Sequence, residues 1–213
     1  MALMNGQIDS RAYQTKLAGI LRDIFGKEMV KTEWDSVRFD GHFGNHHQIY
    51  APRHDIAVGP FNSYADLGLG NDRTRVMLSH PFTKKIIKTV LNQREKIDKV
   101  WNSFSRCFLA IEIEFSGSEK HMLGSIINAS VSGSIGIVIS NHANIEKVKR
   151  LSKYILRLEG LEQIELNSLR NLVIFEQEDF IYFLKAKNLP INKSPWMLFL
   201  ESVSGKRHGL RKR

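Results

Sequence analysis

The chain is poor in the residues that would staple it. It has one cysteine, Cys107, among 213 residues. No internal disulfide can form, and no Cys-x-x-Cys zinc site exists. A reducing, cytoplasmic home fits that economy. No apolar run approaches the roughly eighteen residues of a membrane helix, so neither a spanning segment nor a membrane partner is expected. The start, MALMNGQIDSR, has no basic stretch leading into an apolar run, and so lacks the form of a secretory signal. Internal repeats, low-complexity tracts and domain linkers are missing as well. Gly68 and Gly70 are followed by no Gly-Lys-Ser/Thr, so they form no phosphate-cradling loop. His42 and His46 share the i, i+4 spacing that converges only on a helix. Gly41 and Gly44 argue against one there, and with His47 the group makes a poor zinc site. No Ser–His–Asp triad can be picked out by spacing.

What remains is an ordinary globular balance, with 42% hydrophobic and 25% charged residues. That suits a single domain spanning residues 1–213. The net charge of +9 and pI near 9.7 attract polyanions, nucleic acid first among them. The tail GKRHGLRKR, residues 205–213, adds Arg207 and Arg211, which either follow a phosphate backbone or fray.

The hydrophobic period predicts a helix from about Ser10 to about Val30. Two short strands are expected near Gln48–Ala51 and His54–Val58, closed by Gly59-Pro60. A loop follows, and then Ser79 and Pro81 open a long helix with Ile86, Val90, Ile97, Trp101 and Phe104 on its apolar side. Residues 60–106 thus read as a helical insertion. Phe108–Gly117 is the next strand. Ser116-x-x-Glu119 has the form of a capping box, placing a helix start near Gly117. SIGIVIS, a helix marked by Ile145, Val148, Leu151 and Ile155, the strand RNLVIF, the helix EDFIYFLKAKN and a last helix at Ser194-Pro195 complete the order. Alternating strand and helix points to an α/β fold with a partly parallel sheet.

The strand FLAIEIEFSG carries two acids, Glu112 and Glu114. Alternation puts Phe108, Ala110, Glu112 and Glu114 on one face and Leu109, Ile111, Ile113 and Phe115 on the other. The acids are either a wet face or the emerging end of a central strand, where sites gather in open α/β sheets. Two carboxylates this close repel unless a cation neutralises them. Mg²⁺, a hard ion that takes oxygen ligands, fits. Asp55, inside RHDIAV, would be a third acid; its plainer reading is a turn residue or an ion pair with Arg53.

Asp55 on one strand, an acid-x-acid pair on the next, then a helix and an apolar strand resemble the PD-(D/E)xK, restriction-endonuclease-like nuclease superfamily. The resemblance covers residues 10–60 and 107–187. It departs from the pattern at three points. Pro52 stands three residues before Asp55, Glu114 replaces the usual lysine, and 56 residues separate Asp55 from Glu112. The resemblance implies a restriction-endonuclease-like core: a central mixed sheet flanked by helices, with a helical insertion serving recognition or dimerisation. It implies an Mg²⁺-dependent endonuclease, with Mn²⁺ as a substitute, that cuts double-stranded DNA as a homodimer in the manner of a type II restriction enzyme. Asp55, Glu112 and Glu114 would hold metal. Glu28 or Glu33 would supply the extra acid that the first helix often provides. Lys120 would either take over the absent lysine's role or remain a solvated surface lysine. Arg73, Arg75, Lys84, Lys85, Lys88, Arg207 and Arg211 would meet DNA. Two rivals stand beside this reading: a DNA-binding protein on the same fold without cleavage, and a repair or junction nuclease.

Overall fold

A computed structural model describes residues 9–35, 53–61, 77, 80–89, 102, 105–160 and 171–185. Helix α1, Ser10–Phe25, buries Tyr13, Leu17, Ala18 and Leu21, one stripe at helical spacing. It ends sooner than the sequence period predicts. Gly26 adopts φ 95°, a value open to glycine and poor for other residues. After a short 3₁₀ turn, Lys27–Met29, the chain enters a strand that the sequence reading missed, β1, Val30–Asp35.

β2, Arg53–Val58, lies between β1 and β3, Cys107–Glu114, and is antiparallel to both. β3 then pairs parallel with β4, Gly133–Ser140, and β4 parallel with β5, Leu172–Glu176. Among the described residues this makes one mixed five-stranded sheet whose spatial order follows chain order. The parallel half requires crossovers, which α3, Glu119–Ser132, and α4, Ile145–Gly160, provide. Helices α2, Pro81–Thr89, and α5, Gln177–Lys185, complete the elements. The expected strand near Gln48–Ala51, the continuation of the long helix past Thr89 and the helix at Ser194-Pro195 lie outside the described residues.

Helices cover both faces of the sheet. Leu17 and Leu21 of α1, Phe82 and Ile86 of α2 and Phe180 and Phe183 of α5 pack with Ile56, Ile111 and Ile137. On the reverse face, Met122 and Ile126 of α3 and Val148 and Ile155 of α4 pack with Val138 and Ile174. β4 is buried along its whole length, as a parallel strand roofed on both sides must be. At Gly136 the helix α3 comes so close that an added Cβ would lie 2.6 Å from the Ala129 carbonyl oxygen.

Two local expectations are corrected. α3 starts at Glu119 with Ser118 at its cap position and no side-chain cap. Ser116 instead donates its hydroxyl to the Glu114 carboxylate and accepts from the Ser118 N–H at 3.3 Å, one turn position short of a cap. Phe108 packs with Leu109 and Ile111, while Cys107 joins Ala110, so clean alternation in β3 begins only at Leu109.

Candidate functional site

The site starts from a fault in the β1–β2 ladder. Val30 pairs with Val58 and Thr32 with Ile56, and pairing resumes at Trp34 with His54. Between these pairs stand Glu33 and Asp55. Glu33 has φ 49°, in the left-handed region that side chains other than Asn, Asp and Gly rarely enter. Beyond it the strand is turned over. Val30 packs with Ile56 and Val58, but Trp34 packs with Ala57, Cys107 and Ala110 on the opposite side. His54 stacks on Trp34 with ring centroids 5.9 Å apart.

The β2–β3 ladder runs from Val58↔Leu109 to Ile56↔Ile111 and stops there. Side chains continue the hydrogen bonding where the ladder ends. The Ile113 N–H donates to Asp55 Oδ2 at 2.6 Å, and the Asp55 N–H donates to the Glu112 carboxyl group. Two carboxyl groups from adjacent strands therefore sit in the gap where those strands part. They are directed differently. Asp55 opens toward α1. Glu112 meets His54 on the other side, with Oε1 2.6 Å from Nδ1. Glu114 accepts from the Ser116 N–H at 2.9 Å, the Ser116 hydroxyl and the Ser125 hydroxyl of α3.

Both glutamates are buried, at 6% and 5% exposure, which removes the wet-face reading of β3. Burial raises the Glu112 pKa well above the carboxylate range, with Asp55 and Glu114 adding to the rise. Burial also raises Asp55, against the Ile113 N–H, which lowers it. His54 is pushed down to about 4 by burial. Both shifts favour an uncharged pair that shares one proton across the 2.6 Å contact. Among the described residues, no lysine or arginine forms an ion pair with Asp55, Glu112 or Glu114. Nor, among them, do three His, Cys, Asp or Glu side chains converge closely enough to hold a metal ion.

Asp55 opens into a cleft of about 540 Å³ between α1 and the β1–β2 hairpin. Arg11 and Gln14 line it from α1, Glu33 from β1, Arg53 from β2 and Ile113 from β3. Gln14 Nε2 donates to Glu33 Oε1 at 3.0 Å and to the Asp55 carbonyl at 2.7 Å, tying the helix to the fault. Neither Glu28 nor Glu33 lies on the first helix. Glu28 is exposed in the 3₁₀ turn, and Glu33 is on β1. Only Glu33 of the two lines the cleft.

Lys120 is exposed in the first turn of α3, and Lys84 is exposed on α2. Lys85 is half-buried. Its ammonium donates to the Phe183 carbonyl and lies 4.6 Å from the centre of the Phe183 ring, so it braces α2 against α5. Arg73, Arg75, Arg207 and Arg211 fall outside the described residues, as does the Lys88 side chain. The histidines at 42, 46 and 47 fall outside them too. Strand alternation sets His54 on the reverse side from Asp55, but nothing in the sequence marks its partner, Glu112. The sequence reading also missed Arg11 and Gln14, and it offered Arg53 as a partner of Asp55 where the structure has it 3.8 Å from Glu33. The only signal for His54 was a lone histidine in a buried strand. Gln14 carries none, because its role arises from where α1 crosses the hairpin. No family model, curated protein or solved structure matches the chain.

Proposed function

We propose that the chain is a divalent-metal-dependent endonuclease acting on double-stranded DNA, on a restriction-endonuclease-like core. One observation carries the reading. Asp55, Glu112 and Glu114 lie on adjacent strands, half-buried or buried, and among the described residues no lysine or arginine pairs with them, His54 alone meeting Glu112. Buried acids in that state call for protons or for a cation. The order of elements supports it: Asp55 on β2, the acid pair on the antiparallel neighbour β3, then α3, then apolar β4.

The donor set is all carboxylate oxygen, which suits Mg²⁺ or Mn²⁺. As they stand Asp55 and Glu112 face different sides, so they would hold one ion only with the Glu112 carboxyl group turned from His54 toward Asp55. A bound Mg²⁺ would supply positive charge at a phosphoryl oxygen and lower the pKa of a coordinated water. The chain's own residues do the rest. The Ile113 N–H fixes Asp55, and the serines at 116 and 125 fix Glu114. His54 Nδ1 lies 2.6 Å from Glu112 Oε1 and keeps the carboxyl group in place. Cutting both strands calls for a twofold homodimer.

Incubation of the purified protein with plasmid and Mg²⁺ or Mn²⁺ should convert supercoiled DNA to nicked and linear forms, and EDTA should stop it. Asp55→Asn and Glu112→Gln should drop cleavage to background while DNA binding is retained. Discrete fragments would mark a restriction enzyme. Selective cutting of flaps or junctions would mark a repair nuclease. One observation favours a second reading, a DNA-binding protein without cleavage. Glu114 stands where lysine is usual, its carboxylate is engaged by serine donors, and Lys120 is exposed. Binding without any nicking under either metal would establish that alternative.

A further inference from the structure

We infer that the cleft between α1 and the β1–β2 hairpin receives a phosphodiester group of a nucleic-acid strand on Arg11 and Arg53. This rests on the nucleic-acid part of the proposed function and not on cleavage. The cleft holds two carboxylates and two guanidinium groups, but they are not equally committed. Glu33 and Asp55 are held by protein donors: Gln14 Nε2 bonds Glu33 at 3.0 Å and the Ile113 N–H bonds Asp55 at 2.6 Å. The guanidinium groups are not so held. Arg53 Nη1 stands 3.8 Å from Glu33, beyond hydrogen-bond range, and both side chains are largely exposed at 63% and 55%. Arg11 makes no ion pair among the described residues. Arg11, in the first turn of α1, and Arg53, the first residue of β2, line one open polar cleft, Arg53 in a long exposed pair with Glu33 and Arg11 in no ion pair among the described residues. That is the chemistry that grips a phosphate oxyanion, because the planar fork matches its paired oxygens.

The backbone at the rim agrees. Glu33 is held in a left-handed conformation, and strain of that kind is found where a site needs a side chain placed at one point. Gln14 holds the Glu33 carboxylate at 3.0 Å, while Arg53 stays 3.8 Å from it. A phosphate seated on the two arginines would lie beside Asp55, so a strand bound there would present its backbone to the acid that opens into the same cleft.

The test uses the full chain, a fluorescent DNA duplex of about twelve base pairs, and EDTA, so that binding is read apart from metal chemistry. Arg11→Gln and Arg53→Gln should each weaken binding on the order of tenfold. Each should also lower the slope of log affinity against log salt by about one. Arg157→Gln, on α4 across the sheet, removes the same charge and should leave both quantities near the unaltered values. Arg53→Lys keeps the charge and should restore the slope with only part of the affinity, which guards against a folding artefact. Asp55→Asn should tighten binding. Equal losses at positions 11, 53 and 157, or unchanged salt slopes, would overturn the inference in favour of diffuse attraction. A protein that does not bind the duplex would overturn it together with the nucleic-acid reading. Normal arginine effects with no cleavage by any variant would remove only the nuclease.

Discussion

At the scale of single residues, the His54–Glu112 pair sets how the protein answers to pH. Glu112 has a raised folded-state pKa, so its stabilising contribution is complete below about 4.5, its ordinary value, and is lost as pH climbs through the folded value. His54 runs the other way. Its folded pKa of about 4 lies below the ordinary 6.5, so stability is present above 6.5 and drains as pH falls toward 4. Glu112→Gln mimics the protonated acid and removes the alkaline arm. Urea midpoints should show the variant gaining on the unaltered protein from pH 5 to pH 8. His54→Ala leaves the Glu112 carboxyl group without its partner and a void beside Trp34. It should cost ~2–4 kcal/mol in urea unfolding at pH 7 with an unchanged m value. The apolar run Cys107–Ile111 kept burial of the glutamates open beside a wet face, and only the fold decides between them. Their hydrogen-bond partners were not legible, because His54 and Ser125 reach them through folding rather than through spacing.

At the scale of elements, α3 lies tight against β4 at Gly136. A methyl group at Gly136 would meet backbone atoms of Ala129 and Ser130 at 2.6 to 2.9 Å, and backbone has no rotamer by which to yield. Gly136→Ala should cost ~1–3 kcal/mol and lower the melting temperature. Gly19, inside α1, meets nothing within 4 Å. Gly19→Ala should therefore stabilise by ~0.5–1 kcal/mol, the helix propensity difference. Differential scanning calorimetry of both variants checks the pair of opposite signs. The β3–α3–β4–α4–β5–α5 half was legible from its apolar runs and helical periods. β1 was not. VKTEWD has three exposed or half-exposed charged residues and an alternation broken at Glu33, so it carries no period for a sequence reader to follow. The stop of α1 was legible in Gly26, which follows the last apolar residue with Arg22 in the last turn, but the apolar Met29 and Val30 beyond it prolong the apparent period.

At the scale of the molecule, the sheet reverses its sense at β3, antiparallel on one side and parallel on the other. The acids sit on that strand and on its antiparallel neighbour, so the meander half supplies one carboxyl group and the wound half the others. If cleavage of both DNA strands is the task, the 24.4 kDa chain should sediment as a twofold dimer at micromolar concentration. A strictly monomeric species that still linearised plasmid in one encounter would count against the twofold arrangement. The overall basic charge was legible from composition, but which cations face the cleft was not. Arg11 and Arg53 look no different in the sequence from the arginines that surround them. The left-handed residue at the cleft's rim has a last consequence. A glycine at position 33 would occupy that backbone without penalty, so glutamate there holds back roughly 1–2 kcal/mol from the whole chain's ruggedness. Screening a mutant library for heat tolerance alone would drift toward glycine at this site and discard the carboxylate, so robustness and chemistry must be selected together.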